Sequence, residues 1–488
     1  MLVSKSMKAF TSVAPSREEA VPAAGLQGKQ FRFFTILWSL ATLFHMAYSN
    51  AFDDSIHHIF LSVAAVFLFF RPGHLTGFFA FIILQLADVI FYMPGISNHW
   101  LFTAFVNLSI LHAALYVVIK KKQFSIDKGE LYDVFGRMVR IEVVILYFYA
   151  VFQKLNAGFF TPETSCASVL LDAQNLNWLI PVTPQMKFIN AYFTLFIEGL
   201  IPVLLCIRKT RNFGILVGLV FHCILGYSSF NAYYDFSSMV FALYFLFAPA
   251  SFSRFLSKIV GGIRTSSLFQ PKFSYRSLVL VTIALTFAVG ILILLSKKIP
   301  DYKSFHLYLF WTVYSALFIL LFLAYMLSDK TPRPQLSFAL PQWSLAILPV
   351  IVFLNGLSPY LGLKTENSYA MFSNLRTEGG ISNHYIMPAS LQIFDFQKDL
   401  IEIVSSTDPV LAKIANENKL MVYFSFKEIV AIRRPQRVEY LLNGQPKLFD
   451  LQTAIETNDP LLKKNSLLLR NLFAFRLINK YDPQPCAH

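Results

Sequence analysis

Lys154 is the residue around which chemistry can be built. It lies in Tyr147-Phe-Tyr-Ala-Val-Phe-Gln-Lys-Leu-Asn-Ala-Gly-Phe-Phe160, where an apolar stretch closes on a lone lysine. On a helix, Tyr147, Ala150/Val151, Lys154 and Ala157/Gly158 share one face. The small residues Ala150, Ala157 and Gly158 would let another helix or a ligand approach the backbone. An ammonium in hydrocarbon is costly and tends to shed its proton, so a lysine there can act as a neutral base. The competing reading is a lysine near a helix end that snorkels to the lipid surface. Residue type and depth leave both open.

The elements that must position Lys154 belong in a bilayer. Hydrophobic residues make up 55% of the 488 and charged ones 14%, against roughly 25% charged in soluble chains. The 51 phenylalanines suit lipid-facing surface. The formal net charge of +14 invites a nucleic-acid reading. The basic residues, however, sit in short loops between apolar runs, where they determine topology, and nucleic acid is rejected. Apolar runs near the ~20 residues a bilayer needs fall at 31–49, 55–70, 75–93, 101–119, 139–158, 187–207, 212–229, 234–250, 277–296, 305–327 and 341–357.

The expected fold is thus an all-α polytopic membrane bundle of about eleven transmembrane helices, with a small α+β or mostly β domain after it. Residues 1–30 read as a polar cytoplasmic tail, 31–250 as the main membrane domain and 251–276 as a basic cytoplasmic linker too polar to span. Residues 277–357 add further spans, and 358–488 form an extracytoplasmic C-terminal domain. Lys and Arg concentrate in alternate loops, such as Lys120-Lys-Lys122 and Arg208-Lys209, while loops 50–54, 94–100 and 230–233 have none. The N-terminus is therefore expected in the cytoplasm and, after eleven spans, the tail outside.

This orientation gathers further ionisable residues. At 1.5 Å per residue, Lys154, His45 and Asp88 lie in the outer halves of their spans. His222 lies near the middle or slightly outward, and Glu198 and His112 near mid-depth. Intramembrane ionisable groups face the bundle interior and often mark function. For each alone, a helix–helix hydrogen bond is the competing reading. No metal spacing emerges, since His57 and His58 are adjacent and are expected not to face one helical site together.

Residues 159–186 are expected outside. Within them Ser168–Pro181 reads as a short interfacial helix with Trp178 at the headgroup level, either capping a cavity above Lys154 or lying on the surface. Cys206 and Cys223 lie inside spans. Cys166 and Cys486 both fall outside, where a disulfide is chemically permitted. In the tail, 391–396 and 400–404 read as strands, and 420–426 precedes a helix at 427–433. Asn443-Gly444 suits a two-residue hairpin turn between 438–442 and 447–451, and 467–478 is a final strand or helix. The loop Thr377 to Pro388, with Gly379-Gly380, is either a connector or an approach to the cavity mouth.

The stretch around Lys154, with Trp178-Leu-Ile-Pro181 and Phe221-His-Cys223, resembles the vitamin K-dependent gamma-carboxylase family, whose bacterial relatives share the HTTM membrane domain. Tyr147-Phe148, Ala150 and Lys154-Leu155 match the family pattern, while Val151 replaces a glycine and Phe159 stands where tryptophan is usual. The likeness spans about residues 30–250, with a weaker echo at Asn355-Gly-Leu357 and Tyr369-Ala-Met-Phe372. It implies that Lys154 deprotonates a reduced vitamin K-type naphthoquinone that reacts with oxygen. The resulting alkoxide removes a gamma proton from a peptide glutamate, carbon dioxide adds, and the quinone becomes an epoxide. His222 would orient a substrate or intermediate, with Tyr147, His45, Asp88, Glu198 and Trp178 as candidates for the surrounding cavity. The implied partners are the lipid bilayer, a lipid quinone and an extracytoplasmic protein or peptide, in a bacterial inner membrane. No metal is expected. Two other classes stand beside this enzyme: a non-catalytic receptor or assembly protein that binds through its tail, and a transporter, for which no inverted repeat is visible.

Overall fold

The computed structural model describes residues 23–48, 56–174, 181–228, 233–265, 305–328, 336–484 and Cys486. The bundle runs through α1 (Ala23–Tyr48), α2 (Ile56–Phe70), α3 (Leu75–Tyr92), α4 (Asn98–Lys121), α5 (Lys128–Phe152), the short α6 (Cys166–Asp172) and α7 (Pro184–Cys206). It continues through α8 (Arg211–Leu225), α9 (Tyr234–Phe245), α10 (Ala250–Thr265), α11 (Phe305–Ser328) and α12 (Ile347–Leu361). Helix α1 is central, packing on α2, α5, α9 and α10. Phe31, Phe34 and Trp38 are buried along it.

Polar side chains join these helices across their apolar faces. Trp38 Nε1 donates to Asn107 (3.1 Å), Asn107 Nδ2 to Gln85 (3.1 Å) and Gln85 Nε2 to Thr42 (2.7 Å), so one relay ties α1, α3 and α4. Close approaches depend on glycine at two places. A Cβ on Gly218 would meet the Tyr244 ring and hydroxyl at 2.4 Å, and one on Gly356 would meet Tyr149 at 2.2 Å.

Five helices are long and apolar enough to cross a membrane: Leu75–Tyr92, Asn98–Lys121, Pro184–Cys206, Leu307–Ser328 and Trp343–Leu361. A sixth is reached if α9 and α10, bent by 108° at Pro249, count as one broken span. The expected eleven are not supported. Helices α2 and α8 are apolar but short. Helix α5 carries Glu130, Asp133, Arg137, Arg140 and Glu142 and extends further toward the N-terminus than the apolar run 139–158 indicates. The run 277–296 lies outside the described residues. The apolar helices are compatible with a multi-pass membrane protein.

Three local expectations are corrected. Residues 251–265 of the expected linker lie in α10, where Phe252 and Leu256 are buried and Arg254 is exposed. The short helix expected within 168–181 begins earlier, at Cys166, where the Ser165 hydroxyl accepts from Ala167 N, and ends at Asp172. Residues 391–396 are no strand, because the amides of Ile393 and Phe394 are spent on Leu361 O at 3.2 and 3.0 Å, closing the end of α12.

The tail holds a five-stranded antiparallel sheet in the order β4-β3-β1-β2-β5. Its strands are β1 (Leu400–Ser406), β2 (Lys419–Val422), β3 (Arg437–Leu442), β4 (Gln445–Asp450) and β5 (Ile478–Asn479). Asn443 and Gly444, with φ of 49° and 81°, make the β3–β4 turn as expected from their types. Helices α13 (Pro409–Asn416), α14 (Tyr423–Arg433), α15 (Leu451–Thr457) and α16 (Leu467–Leu472) complete the unit. Ile401, Leu411, Met421, Phe426, Val438 and Phe449 share its own apolar core.

Candidate functional site

Lys154 is not on a helix. Helix α5 ends at Phe152, and Lys154 follows its cap, with its amide donating to Val151 O at 3.1 Å. The local polar residues cause the break. Gln153 Nε2 donates to Gly356 O and Ser368 O, and Asn156 Oδ1 caps the 3-10 turn Ala157–Phe160 by accepting from Phe159 N. The supposed small-residue helix face is therefore a turn. A Cβ on Gly158 would meet Asn374 at 3.1 Å, so the small residue admits a loop instead of a helix.

From that turn Lys154 Nζ donates to Glu198 Oε2 of α7 at 2.6 Å and lies 5.9 Å from the Phe159 ring centroid. The Lys154 and Glu198 side chains are 7% and 14% exposed, and both line a cavity of about 240 Å³. Val151 faces α7 across Gly199, where the facing helix supplies the small residue. His222 and Tyr147 also line the cavity. Tyr147 Oη lies 2.8 Å from His222 Nε2 and also contacts Tyr244 Oη. His222 Nδ1 is buried with no hydrogen-bond partner among the described residues. The rest of the wall is mainly apolar, including Phe159, Phe221, Phe236 and Phe372.

A buried Lys–Glu pair can resolve its desolvation cost in two ways. It can remain ionic, or pass one proton to the carboxylate and become a neutral amine beside a carboxylic acid. The second form supplies a neutral amine, able to act as a base, in an apolar cavity.

The segment after α12 closes one side. Tyr369, Met371 and Phe372 line the cavity, whereas the loop 377–388 packs elsewhere, with His384 Nε2 at 2.8 Å from Phe152 O and Tyr385 N on Leu155 O. Asn367, Tyr369, Phe372 and Asn374 all have left-handed backbones, φ 50–65°. Such strain persists only where surroundings over-determine it. Here Tyr369 N donates to Asn98 Oδ1, Asn367 Nδ2 to Pro94 O, and Asn374 Oδ1 accepts from Cys166 N, each at 2.7 Å. A disulfide joins Cys166 to Cys486, with Cα atoms 4.8 Å apart, anchoring the C-terminus beside α6.

The structure thus brings Lys154, Glu198, His222 and Tyr147 to one cavity and leaves His45 and Asp88 off its wall. His45 Nδ1 and His99 Nε2 each lie 2.8 Å from Asp235 Oδ2, and only His99 of the three reaches the cavity. Asp88 stands with His57 and His58, whose Nε2 atoms are 3.2 and 2.9 Å from its Oδ1. The expectation that these adjacent histidines cannot share a site is overturned. They lie in the first turn of α2. Trp178 lies outside the described residues. Sequence reasoning missed His99 and Asp235. The signal was present, as Asp235 is the one carboxylate in the apolar run 234–250.

No protein-family model matches the chain, and no curated protein or solved structure matches it either.

Proposed function

We propose that the chain is an integral-membrane enzyme resembling the vitamin K-dependent gamma-carboxylases, with Lys154 as base toward a reduced naphthoquinone. The observation that carries the reading is Lys154 Nζ held 2.6 Å from Glu198 on the wall of an apolar cavity. The donor set fits a flat, lipid-soluble quinol: aromatic walls for its ring, an amine for one hydroxyl, and the unpartnered His222 Nδ1 for another oxygen. When bound, the reduced naphthoquinone supplies the electrons for oxygen-dependent epoxidation, coupled to carbon dioxide addition on an extracytoplasmic protein or peptide.

The chain's own residues then have defined tasks. Lys154 passes its own proton to Glu198 Oε2 and then accepts a hydroxyl proton at Nζ. Tyr147 holds the His222 ring through Nε2, leaving Nδ1 for the ligand. Tyr369, Met371 and Phe372 exclude water from the cavity, which protects a strong base. The loop charges favour a cytoplasmic N-terminus and an extracytoplasmic tail, in an inner membrane if the source is bacterial.

The test supplies purified protein in lipid with a reduced naphthoquinone, oxygen and labelled bicarbonate, and follows epoxide and fixed label. Epoxide formed by wild type and lost in Lys154→Ala supports the enzyme, and label then decides carboxylation. Folded wild type that makes no epoxide with any of several quinols sinks the reading in favour of a receptor or assembly role for the tail.

A further inference from the structure

We infer that His57, His58 and Asp88 form a binding site for one divalent transition-metal ion of the zinc class, separate from the Lys154 cavity. The three ligand atoms lie within 4.8 Å of one another. Donors around a tetrahedral ion at 2.0–2.2 Å sit about 3.3 Å apart, and the two imidazole nitrogens lie 3.2 and 2.9 Å from Asp88 Oδ1. Two imidazoles and a carboxylate are the donor set that suits zinc, cobalt or nickel over magnesium or calcium.

Hydrogen bonding accounts for only part of the cluster. Asp88 Oδ1 meets His58 Nε2 at 2.9 Å, while the buried His57 Nε2 has no aligned hydrogen-bond partner among the described residues. The other His–His–Asp cluster makes the contrast. There His45 and His99 are both hydrogen-bonded to Asp235 Oδ2 at 2.8 Å, so its groups are already satisfied. Around Asp88 the surroundings instead prepare a ligand. Trp100 Nε1 donates to Oδ2 at 2.8 Å, fixing the carboxylate and leaving Oδ1 for monodentate binding. The His58 ring stacks on Tyr92 with centroids 5.2 Å apart, and His57 packs on Phe91 at 4.8 Å, which limits their rotamers. The Asp88 side chain is 2% exposed and that of His57 is 29% exposed, so the cluster is anchored inside with His57 at its outer edge. Water would complete the coordination.

The ion would clamp the start of α2 to α3 and, through Trp100, to α4. Trp100 also stacks on His45 at 3.7 Å, so the clamp reaches the second cluster through one ring. Its role is to hold the bundle.

The full chain, purified in lipid nanodiscs and stripped with a chelator, would be dialysed against zinc ions and its metal counted by mass spectrometry. Cobalt would report geometry through its visible absorption. Wild type should retain one ion per chain with a tetrahedral cobalt spectrum and a raised Tm. Asp88→Asn and His58→Ala should retain none. His57→Ala, the substitution least able to disturb folding because its side chain is part-exposed, should bind at least tenfold more weakly. Trp100→Phe should weaken binding by about 10–100-fold. Asp235→Asn should keep the ion. Wild type retaining under one-tenth of an ion per chain would overturn the proposal. So would a stoichiometry unchanged in both His57→Ala and Asp88→Asn, or an ion lost only in Asp235→Asn.

Discussion

Two buried groups of ionisable residues sit side by side and differ in one respect. Asp235, with His45 and His99, has its charge answered from both sides by aligned nitrogens. Lys154 and Glu198 answer each other but face a void, and beside them His222 keeps one nitrogen unpartnered among the described residues. Burial and charge are common to both groups. Asp235 and His99 also line a cavity, of about 190 Å³, so what separates the groups is the His222 nitrogen left unpartnered beside the second, which a ligand can complete. A satisfied buried cluster stabilises and specifies packing, whereas an incomplete one beside a cavity can do chemistry.

The comparison can be broken most sharply at its two centres. Lys154→Ala should lower quinol epoxidation by about 10²–10⁴-fold, with a smaller fall in Tm because Glu198, left without its partner, can take a proton and become neutral. Asp235→Asn should do the reverse, costing about 3–5 kcal/mol of stability because buried partners lose their counter-charge. Thermal unfolding in nanodiscs beside epoxide yield would read both. Equal loss of stability from the two substitutions would erase the distinction between a working and a structural cluster.

The strap over the cavity gives the next effect. Cys486→Ser removes the disulfide to Cys166 and should cost about 2–4 kcal/mol, read as a lower Tm without reductant that matches wild type with it. Gly218→Ala is expected to be smaller, about 1–3 kcal/mol. Its methyl would push Tyr244 off Tyr147 and so disturb His222, raising KM for the quinol more than it lowers kcat.

The smallest effect lies outside the spans, in pH. Burial pushes Lys364 down to about 8. Its folded form therefore binds fewer protons than the unfolded chain between about 8 and the ordinary lysine value near 10.4. Stability from this group should rise with pH through that window and stay at its lowest below it. Lys364→Met should raise Tm at pH 7 and flatten the rise, whereas an unchanged slope would remove Lys364 as its source.

Much of the site was legible because long apolar runs make polar residues conspicuous. Lys154, Glu198, His222 and Tyr147 stand out from an apolar background, and the structure places them on one cavity. Their arrangement was not legible. Helical periodicity carried α5 through Lys154, whereas Gln153 and Asn156 spend their side chains on distant carbonyls of Gly356, Ser368 and Ser373 and end the helix. His57 and His58 were set aside because adjacent residues on a helix point about 100° apart, yet both rings meet Asp88. Asn443-Gly444 was read correctly because its turn depends on two adjacent residues alone.

By itself, then, the sequence determined the apolar helical character of the chain, the residues able to carry charge within it, and turns set by neighbouring residue types. These follow from composition and from interactions a few residues long. The tertiary structure alone decided which charges are satisfied and which face a cavity. It also decided where α5 stops, and that Tyr369–Phe372, more than two hundred residues from Lys154, closes the same space. Those outcomes depend on hydrogen bonds and packing between segments far apart in the chain, and residue order does not encode their distances.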